Sequence, residues 1–363
     1  MKVLHVIDAL NCGGAQRTLT TLLPHLSGTP DQEHSVAALF AHRRFDWSFP
    51  PGVTVTYLAS SYPALPSLPR RLRAHLAQCR PDIIHVHLSG GRFIVAAALA
   101  RRRTRPKVIW HEHSGDALRE RYGRVIGIPL RRIEARMARH VDAVVAVSDC
   151  VARDLAARWG IKVTVIPNPI DPQAIRRAAV QPLTELPAGV DLGTTAIAFV
   201  GRLAPEKGPD LFLRVAQMLA PRHPDWQFWF VGDGGVRPVL EKEVARLRLA
   251  PRIQFWGLRR DVYTVMRHAR VVAVPSRREA FGLAALEALA LGTPVVAFAA
   301  GGIEETLKKF EGARLIQAGD TTAFAQGVEQ SVAEARTGAI EAGTFRADRV
   351  AAELLQVYKE LCT

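Results

Sequence analysis

Thirteen short apolar runs rich in β-branched residues recur along the chain, with helix-like segments between most of them, and that alternation points to parallel α/β arrays. Seven come first: Lys2–Ile7, His34–Phe40, Val53–Leu58, Asp82–His87, Lys107–Glu112, Asp142–Val147 and Lys162–Pro167. From Pro172 to Gly193 the strand pattern lapses, and three prolines and two glycines mark a linker. Six more runs follow: Thr195–Gly201, Trp226–Gly232, Arg252–Gly257, Arg270–Ser276, Pro294–Ala300 and Ala313–Ile316. A length of 363 residues allows each array a core of its own. The expected fold is α/β, with two Rossmann-like, doubly wound parallel-sheet domains over residues 1–171 and 194–345 facing one cleft, and a linker at 172–193. Such sheets bind ligands outside the carboxyl ends of their strands, so the loops leaving the strands carry the chemistry.

Composition narrows the setting. No charge-free apolar run reaches the roughly 18 residues of a membrane span. The nearest, Ala288–Ile303, is broken by Gly292, Pro294 and Gly301–Gly302. Residues from Lys2 onward read as a first strand and not as a signal peptide, and four scattered cysteines suggest free thiols in a reducing cytosol. The net charge is +14, and 40 of the 48 cationic side chains are arginine. Residues 1–171 hold 24 basic and 13 acidic groups, or +11, against 24 and 21, or +3, in the remainder.

The most informative segment is Val271–Gly302. A buried strand ends at Pro275–Ser276, a loop carries Glu279, and a helix begins near Gly282 and stops at Leu291–Pro294. Glu279 then lies before a helix N-terminus, where free N–H groups favour an anion. Glu287 falls inside the Ala/Leu-rich helix, where a carboxylate must turn to solvent or to a polar ligand. In Val200–Gly208, Arg202 and Lys207 leave the first strand of the second array, and a guanidinium with an ammonium suits a diphosphate. Gly13–Gly14 in the first strand–helix turn permits close approach to the backbone. Capping for Glu279, a surface position for Glu287 and solvated cations are the alternatives for each residue alone.

In order, Gly13–Arg17, His111–Gly115, Val145–Val151, Val165–Asp171, Val200–Gly208, Val231–Gly235, Phe255–Val262 and the Glu279–Glu287 spacing resemble the retaining nucleotide-sugar glycosyltransferases of family four, which have the GT-B fold. The resemblance covers nearly the whole chain. It implies an N-terminal acceptor domain, a C-terminal nucleotide-sugar domain, and a final helix at about 346–363 packing back on the first. It further implies that Arg202 and Lys207 bind the donor diphosphate, Glu287 the ribose, and Glu279 the transferred sugar. Gly13 and Gly14 approach the phosphates, the Leu258 main chain touches the base, and the Phe281, Gly282 and Leu283 amides face phosphate or sugar. His113 lies beside the sugar at the reacting centre. The leaving phosphate helps remove the acceptor proton, so no protein nucleophile is required. The family commonly has glycine where this chain has Pro169, and larger residues at Ala284 and Ala285; neither departure touches a charged group.

The implied partners are a nucleotide-sugar donor and a glycan or lipid-linked acceptor of cell-surface synthesis, or else a soluble small molecule; nucleic acid is not expected. No cofactor or metal is expected either, since no Asp-x-Asp occurs. A dinucleotide oxidoreductase is disfavoured by the missing G-x-G-x-x-G, although Arg43 could meet a 2′-phosphate. A metal hydrolase could use the His85/His87 and His111/His113 pairs, and a non-catalytic basic protein could keep the fold. Two arginine-rich helices, Pro69–Arg80 and Pro129–His140, carry much of the first-half charge. In the second, Leu130, Ile133 and Met137 share a face while Arg131, Arg132, Arg136 and Arg139 spread over the rest. Such a helix suits an anionic leaflet and a cytoplasmic, peripheral location; the alternative packs the stripe on the sheet.

Overall fold

The computed structural model describes residues 1–28, 31–41, 47–100, 105–114, 117–334, 336, 338–341 and 343–363. Arg43 and Gly115 lie outside the described residues. The chain divides into two compact units, Met1–Pro169 with Ala347–Thr363, and Ile170–Arg346.

Among the described residues, the first unit has a seven-stranded parallel sheet. Its strands are β1 (Lys2–Ala9), β2 (Glu33–Phe40), β3 (Thr54–Ala59), β4 (Ile83–His87), β5 (Lys107–Glu112), β6 (Ala143–Ala146) and β7 (Thr164–Val165). They lie in the order β3-β2-β1-β4-β5-β6-β7, so the winding reverses between β1 and β4. The helices α1 (Gly14–Leu26), α2 (Leu68–Cys79), α3 (Ser89–Leu99), α4 (Ala117–Ala138) and α5 (Asp149–Trp159) lie between strands. Side-chain alternation puts Val3, His5 and Ile7 on one face with Ile83, His85 and His87, which pair in register. Leu22 and Leu26 of α1, and Val350, Leu354 and Tyr358 of the C-terminal helix (Ala347–Cys362), pack on Val3, Ile83 and Ile109 of that face.

Arg92 of α3 is fully buried, and its guanidinium donates to Glu112 of β5 at 2.8 Å and to Glu134 of α4 at 2.5 Å. Burial opposes its charge, but the two carboxylates hold its pKa above the ordinary arginine value. The rings of Trp110 and Trp159 stack near it, at 5.0 and 5.4 Å. This ion cluster also fixes which side of α4 turns inward. Glu134 is buried, Leu130 and Met137 are half-buried, and Ile128 and Ile133 are 42% and 50% exposed. The apolar stripe expected over Leu130, Ile133 and Met137 is therefore split. In α2, Arg71 donates to the Leu58 carbonyl and Arg73 to those of Ala97 and Ala98, so part of that helix's charge ties elements together.

The second unit has six described parallel strands in the order β10-β9-β8-β11-β12-β13. These are β8 (Ala196–Val200), β9 (Gln227–Val231), β10 (Ile253–Gly257), β11 (Val271–Val274), β12 (Val295–Ala299) and β13 (Ala313–Gln317). Its helices are α6 (Pro172–Ala179), α7 (Pro209–Leu219), α8 (Arg237–Arg246), α9 (Val262–His268), α10 (Leu283–Ala290), α11 (Gly302–Leu307) and α12 (Thr321–Ala333). Its core is aromatic, with Phe199, Phe212, Phe228, Phe230, Phe298 and Phe324 all buried. Burying one such side chain contributes about 1.5–3 kcal/mol.

The linker expected at 172–193 is corrected in its first part. Pro172–Ala179 is the helix α6, with Pro172, Ile175 and Ala179 buried. Pro172 occupies a first-turn position, where its missing N–H costs nothing, and the Asp171 side chain accepts from Ala174 N at 2.9 Å.

Candidate functional site

The winding of the second sheet reverses between β8 and β11, and the loops leaving those two strands carry the charged residues singled out above. The loop after β8 runs through Arg202 and a 3-10 turn at Pro205–Lys207 to Gly208, which has φ 69°. A Cβ there would come within 2.1 Å of the Pro275 carbonyl, so only glycine lets the β8 loop touch the segment after β11. The two loops are also tied by Arg277, whose backbone N–H donates to the Glu206 carbonyl at 2.9 Å. Its guanidinium meets both Asp210 carboxylate oxygens, at 2.5 and 2.7 Å.

On this scaffold Lys207 Nζ donates to Glu279 Oε2 at 2.6 Å, and the Ser276 hydroxyl donates to the same oxygen at 3.3 Å. Arg202 is 67% exposed on its side chain and pairs with Glu206 at 2.5 Å. Phe281 is buried, whereas Gly282 holds φ 92° at the start of α10, where a Cβ would press on Ile303. Gly282 and Leu283 thus form the N-terminal turn of that helix, whose first N–H groups lack intrahelical acceptors.

Glu287 is 5% exposed, which overturns its surface reading, and it accepts from the Tyr263 hydroxyl of α9 at 2.9 Å. The chain therefore brings Lys207, Glu279 and Ser276 into direct contact, and Glu287 into contact with Tyr263. Leu258 is 41% exposed, just beyond β10. Arg259 and Thr184 both bond to Asp261 beside it and pin that loop.

In the first unit Gly13 is the residue before α1, and its extended φ of −175° is open to any residue. A Cβ there would, however, meet Gln16 Oε1 at 2.6 Å, and Gln16 holds the turn by donating to the Ala9 carbonyl at 2.7 Å. Gly14 opens the helix.

His113 follows β5, is half-buried, and adjoins a cluster of five buried imidazoles. The two histidine pairs were legible as neighbours; His5 and His34 were not. His34 Nε2 contacts Gln32 Oε1 at 3.2 Å, and His34 Nδ1 contacts His5 Nε2 at 3.0 Å. His5 Nδ1 then meets His87 Nε2 at 3.2 Å, and His87 Nδ1 meets His113 Nε2 at 3.0 Å. A separate branch joins Tyr358 to His85 and His85 to His111, at 2.6 and 3.2 Å. Burial lowers the pKa of all six: to about 4 at His34 and His113, to about 3 at His85, and well below 6.5 at His5, His87 and His111. His87, His111 and His113 offer nitrogens within 4.8 Å of one another, as do His5, His85 and His87, close enough to consider a metal ion. The nitrogens of His5 and His87 are already engaged with neighbouring rings, so we read the cluster as hydrogen-bonded. Glu112 accepts from the Ser114 N–H at 3.0 Å and the Ser114 hydroxyl at 3.2 Å, tying the segment after His113 to Arg92.

Residues 187–342 match the family described as glycosyl transferases group 1, and residues 12–174 match glycosyltransferase family 4. A 2-deoxystreptamine glucosyltransferase of Streptomyces kanamyceticus is 30% identical over 77% of this chain and 73% of its own length. A D-inositol 3-phosphate glycosyltransferase of Salinispora tropica is 33% identical over 65% of this chain and 53% of its own. Two other D-inositol 3-phosphate glycosyltransferases, both from Corynebacterium, are matched over only 28% and 45% of their own length, so the chain spans about half or less of these relatives. Among solved structures, sucrose-phosphate synthase of Thermosynechococcus elongatus superposes with a TM-score of 0.80 at 20% identity, covering 99% of each chain. Anabaena Alr3699/HepE in complex with UDP and glucose superposes at 0.77, also with 20% identity and 99% of each chain.

Proposed function

The chain belongs to the group 1, family 4 glycosyltransferases, and from that premise we propose that it moves a sugar from a nucleoside diphosphate to an acceptor hydroxyl with retention of anomeric configuration and without a metal. The observation that carries this reading is the Lys207–Glu279 contact of 2.6 Å at the β8/β11 reversal, with Arg202 on the same loop. In the ligand-free chain the ammonium is neutralised by the carboxylate. A diphosphate beside Lys207 and Arg202 replaces that partner and frees Glu279 for the sugar hydroxyls. As the glycosidic bond breaks, the leaving phosphate gains charge, and the two cations stabilise the transition state more than the ground state.

Glu287, held by Tyr263, takes the ribose hydroxyls, the main chain at Leu258 meets the base, and the Phe281–Leu283 amides meet phosphate or sugar. Gly13, Gly14 and His113 are the first unit's contribution, His113 beside the sugar. The acceptor oxygen attacks from the face the phosphate leaves, and a departing phosphate oxygen takes its proton. The acceptors of the relatives, D-inositol 3-phosphate and 2-deoxystreptamine, support a small polyol or aminocyclitol acceptor.

A second acceptor reading rests on α4. Ile128 and Ile133 are exposed beside exposed Arg132 and Arg136, a combination suited to an anionic leaflet and a lipid-linked acceptor. No helix of the described residues is long and apolar enough to cross a membrane. A peripheral contact on a cytoplasmic leaflet is therefore the form this reading takes.

The test is transfer from UDP-glucose to 2-deoxystreptamine or D-inositol 3-phosphate in EDTA, with the product anomer read by NMR. An α-linked product in chelator is expected. An inverted product, or loss of activity restored by manganese or zinc, overturns the mechanism, and failure with UDP, GDP, ADP and TDP sugars alike overturns the activity. Sedimentation with phosphatidylglycerol vesicles at low and high salt decides the second acceptor reading.

A further inference from the structure

Three buried imidazoles and the half-buried His113 form one unbranched chain that crosses the first unit from the amino end of its sheet to the carboxyl end. It starts at Gln32 and His34, where β2 begins, passes through His5 of β1 and His87 of β4, and ends at His113 beyond β5. A neutral imidazole has one N–H and one lone pair, so each N···N contact needs a donor from one ring and an acceptor from the next. His34, His5 and His87 use both nitrogens within the chain, and their direction is therefore set together.

The direction is set at the Gln32 end. Its amide oxygen can only accept, which makes His34 Nε2 a donor and His34 Nδ1 a lone pair. His5 must then donate from Nε2, His87 must donate from Nε2 to His5, and His113 must donate from Nε2 to His87. His113 Nδ1, a buried atom at the far end, is left with its lone pair toward the Asn168 side chain, whose amide oxygen already accepts from the Thr18 hydroxyl at 2.8 Å. The low pKa values of all four rings agree with a chain that is neutral throughout.

We infer that His34, His5 and His87 are positioning residues which, anchored by Gln32, dictate that His113 carries its proton on Nε2 and keeps Nδ1 as an acceptor. Reversing the anchor must reverse all four rings or break buried hydrogen bonds, so a change at Gln32 is read at His113. The consequence for turnover rests on the proposed place of His113 beside the sugar; the tautomer does not.

The experiment is long-range 1H–15N NMR of the ligand-free, histidine-labelled chain, which distinguishes the two neutral tautomers. The wild type should show Nε2–H at all four rings. Gln32→Lys replaces the acceptor with a donor at a partly exposed position and should switch His113 to Nδ1–H. His5→Phe cuts the chain, and Gln32→Lys added to it should then leave His113 unmoved. Nδ1–H at His113 in the wild type, or a His113 signal indifferent to Gln32→Lys in the uncut chain, overturns the inference. Turnover with UDP-glucose should fall about tenfold in Gln32→Lys, the effect of one lost hydrogen bond. A switched tautomer with unchanged turnover leaves the chain intact and refutes the place given to His113, which separates the two failures.

Discussion

Both sheets reverse their winding after the first strand, yet the helix-facing sides of the two are filled with different chemistry. On the first, His5, His85, His87 and His111 stand among valine and isoleucine, while on the second, Phe199, Phe228, Phe230 and Phe298 occupy the interior. The first unit also buries an arginine with two carboxylates. Strand order is thus indifferent to what the interior is made of, provided its buried charges are paired and its buried rings bonded to one another. What the interior does decide is how the unit responds to acid and to lost charge. An aromatic core has nothing to titrate.

The largest expected effect tests the buried charge. Arg92→Met strands Glu112 and Glu134 without their cation and should cost about 3–5 kcal/mol of stability in urea unfolding. Restoring neutrality with Glu112→Gln and Glu134→Gln in the same chain should recover most of it; if it does not, packing and not charge dominates there.

Next is a contrast in function. Lys207→Ala, in the second unit, should lower turnover by about 100- to 1,000-fold with little change in melting temperature, because it removes charge stabilisation at the leaving phosphate. Glu279→Gln should reduce turnover more than UDP affinity. Equal loss of UDP affinity by calorimetry in Glu279→Gln and Glu287→Ala would sink that division of labour.

Acid should then separate the units. The histidines of the first have folded pKa values below the unfolded 6.5, so below pH 6.5 the unfolded state takes up protons first. Their contribution is complete above about 6.5 and is lost as the pH falls toward about 4. Hydrogen exchange between pH 7 and 4.5 should show residues 1–169 losing protection before residues 170–346. Simultaneous loss would place the acid sensitivity elsewhere. The smallest effect is local: Tyr263→Phe removes the donor on Glu287 and should weaken UDP binding about threefold to tenfold.

Much of this architecture was legible because a buried parallel strand announces itself by a continuous apolar run, and because charged residues just after such a run must lie at a carboxyl end. Arg202, Lys207 and Glu279 were found in that way. Tyr263 was not, since its contact with Glu287 joins two helices 24 residues apart. His5 and His34 escaped for a related reason: only the strand register sets His5 opposite His85. The start of α6 was hidden by Pro172, which reads as a breaker until Asp171 is seen to cap it. The exposure of Ile133 was hidden because a buried ion pair, and not the apolar stripe, chooses the inward side of α4.

The C-terminal helix has a bearing on synthesis at the ribosome. It supplies Val350, Leu354 and Tyr358 to the first unit, although the whole of the second unit lies between it and the rest of that unit in sequence. The second unit is one uninterrupted segment, Ile170–Arg346, closed at its base by the Ile170 N–H donating to the Phe345 carbonyl at 2.8 Å. It can therefore mature as soon as it emerges, whereas the earlier-made residues must keep a histidine-bearing face waiting for a cover that is translated only after the whole second unit. Domains ordinarily mature in the order they are made. Here the order is inverted, and an interval of nascent-chain exposure, with its demand on chaperones, is written into the connectivity.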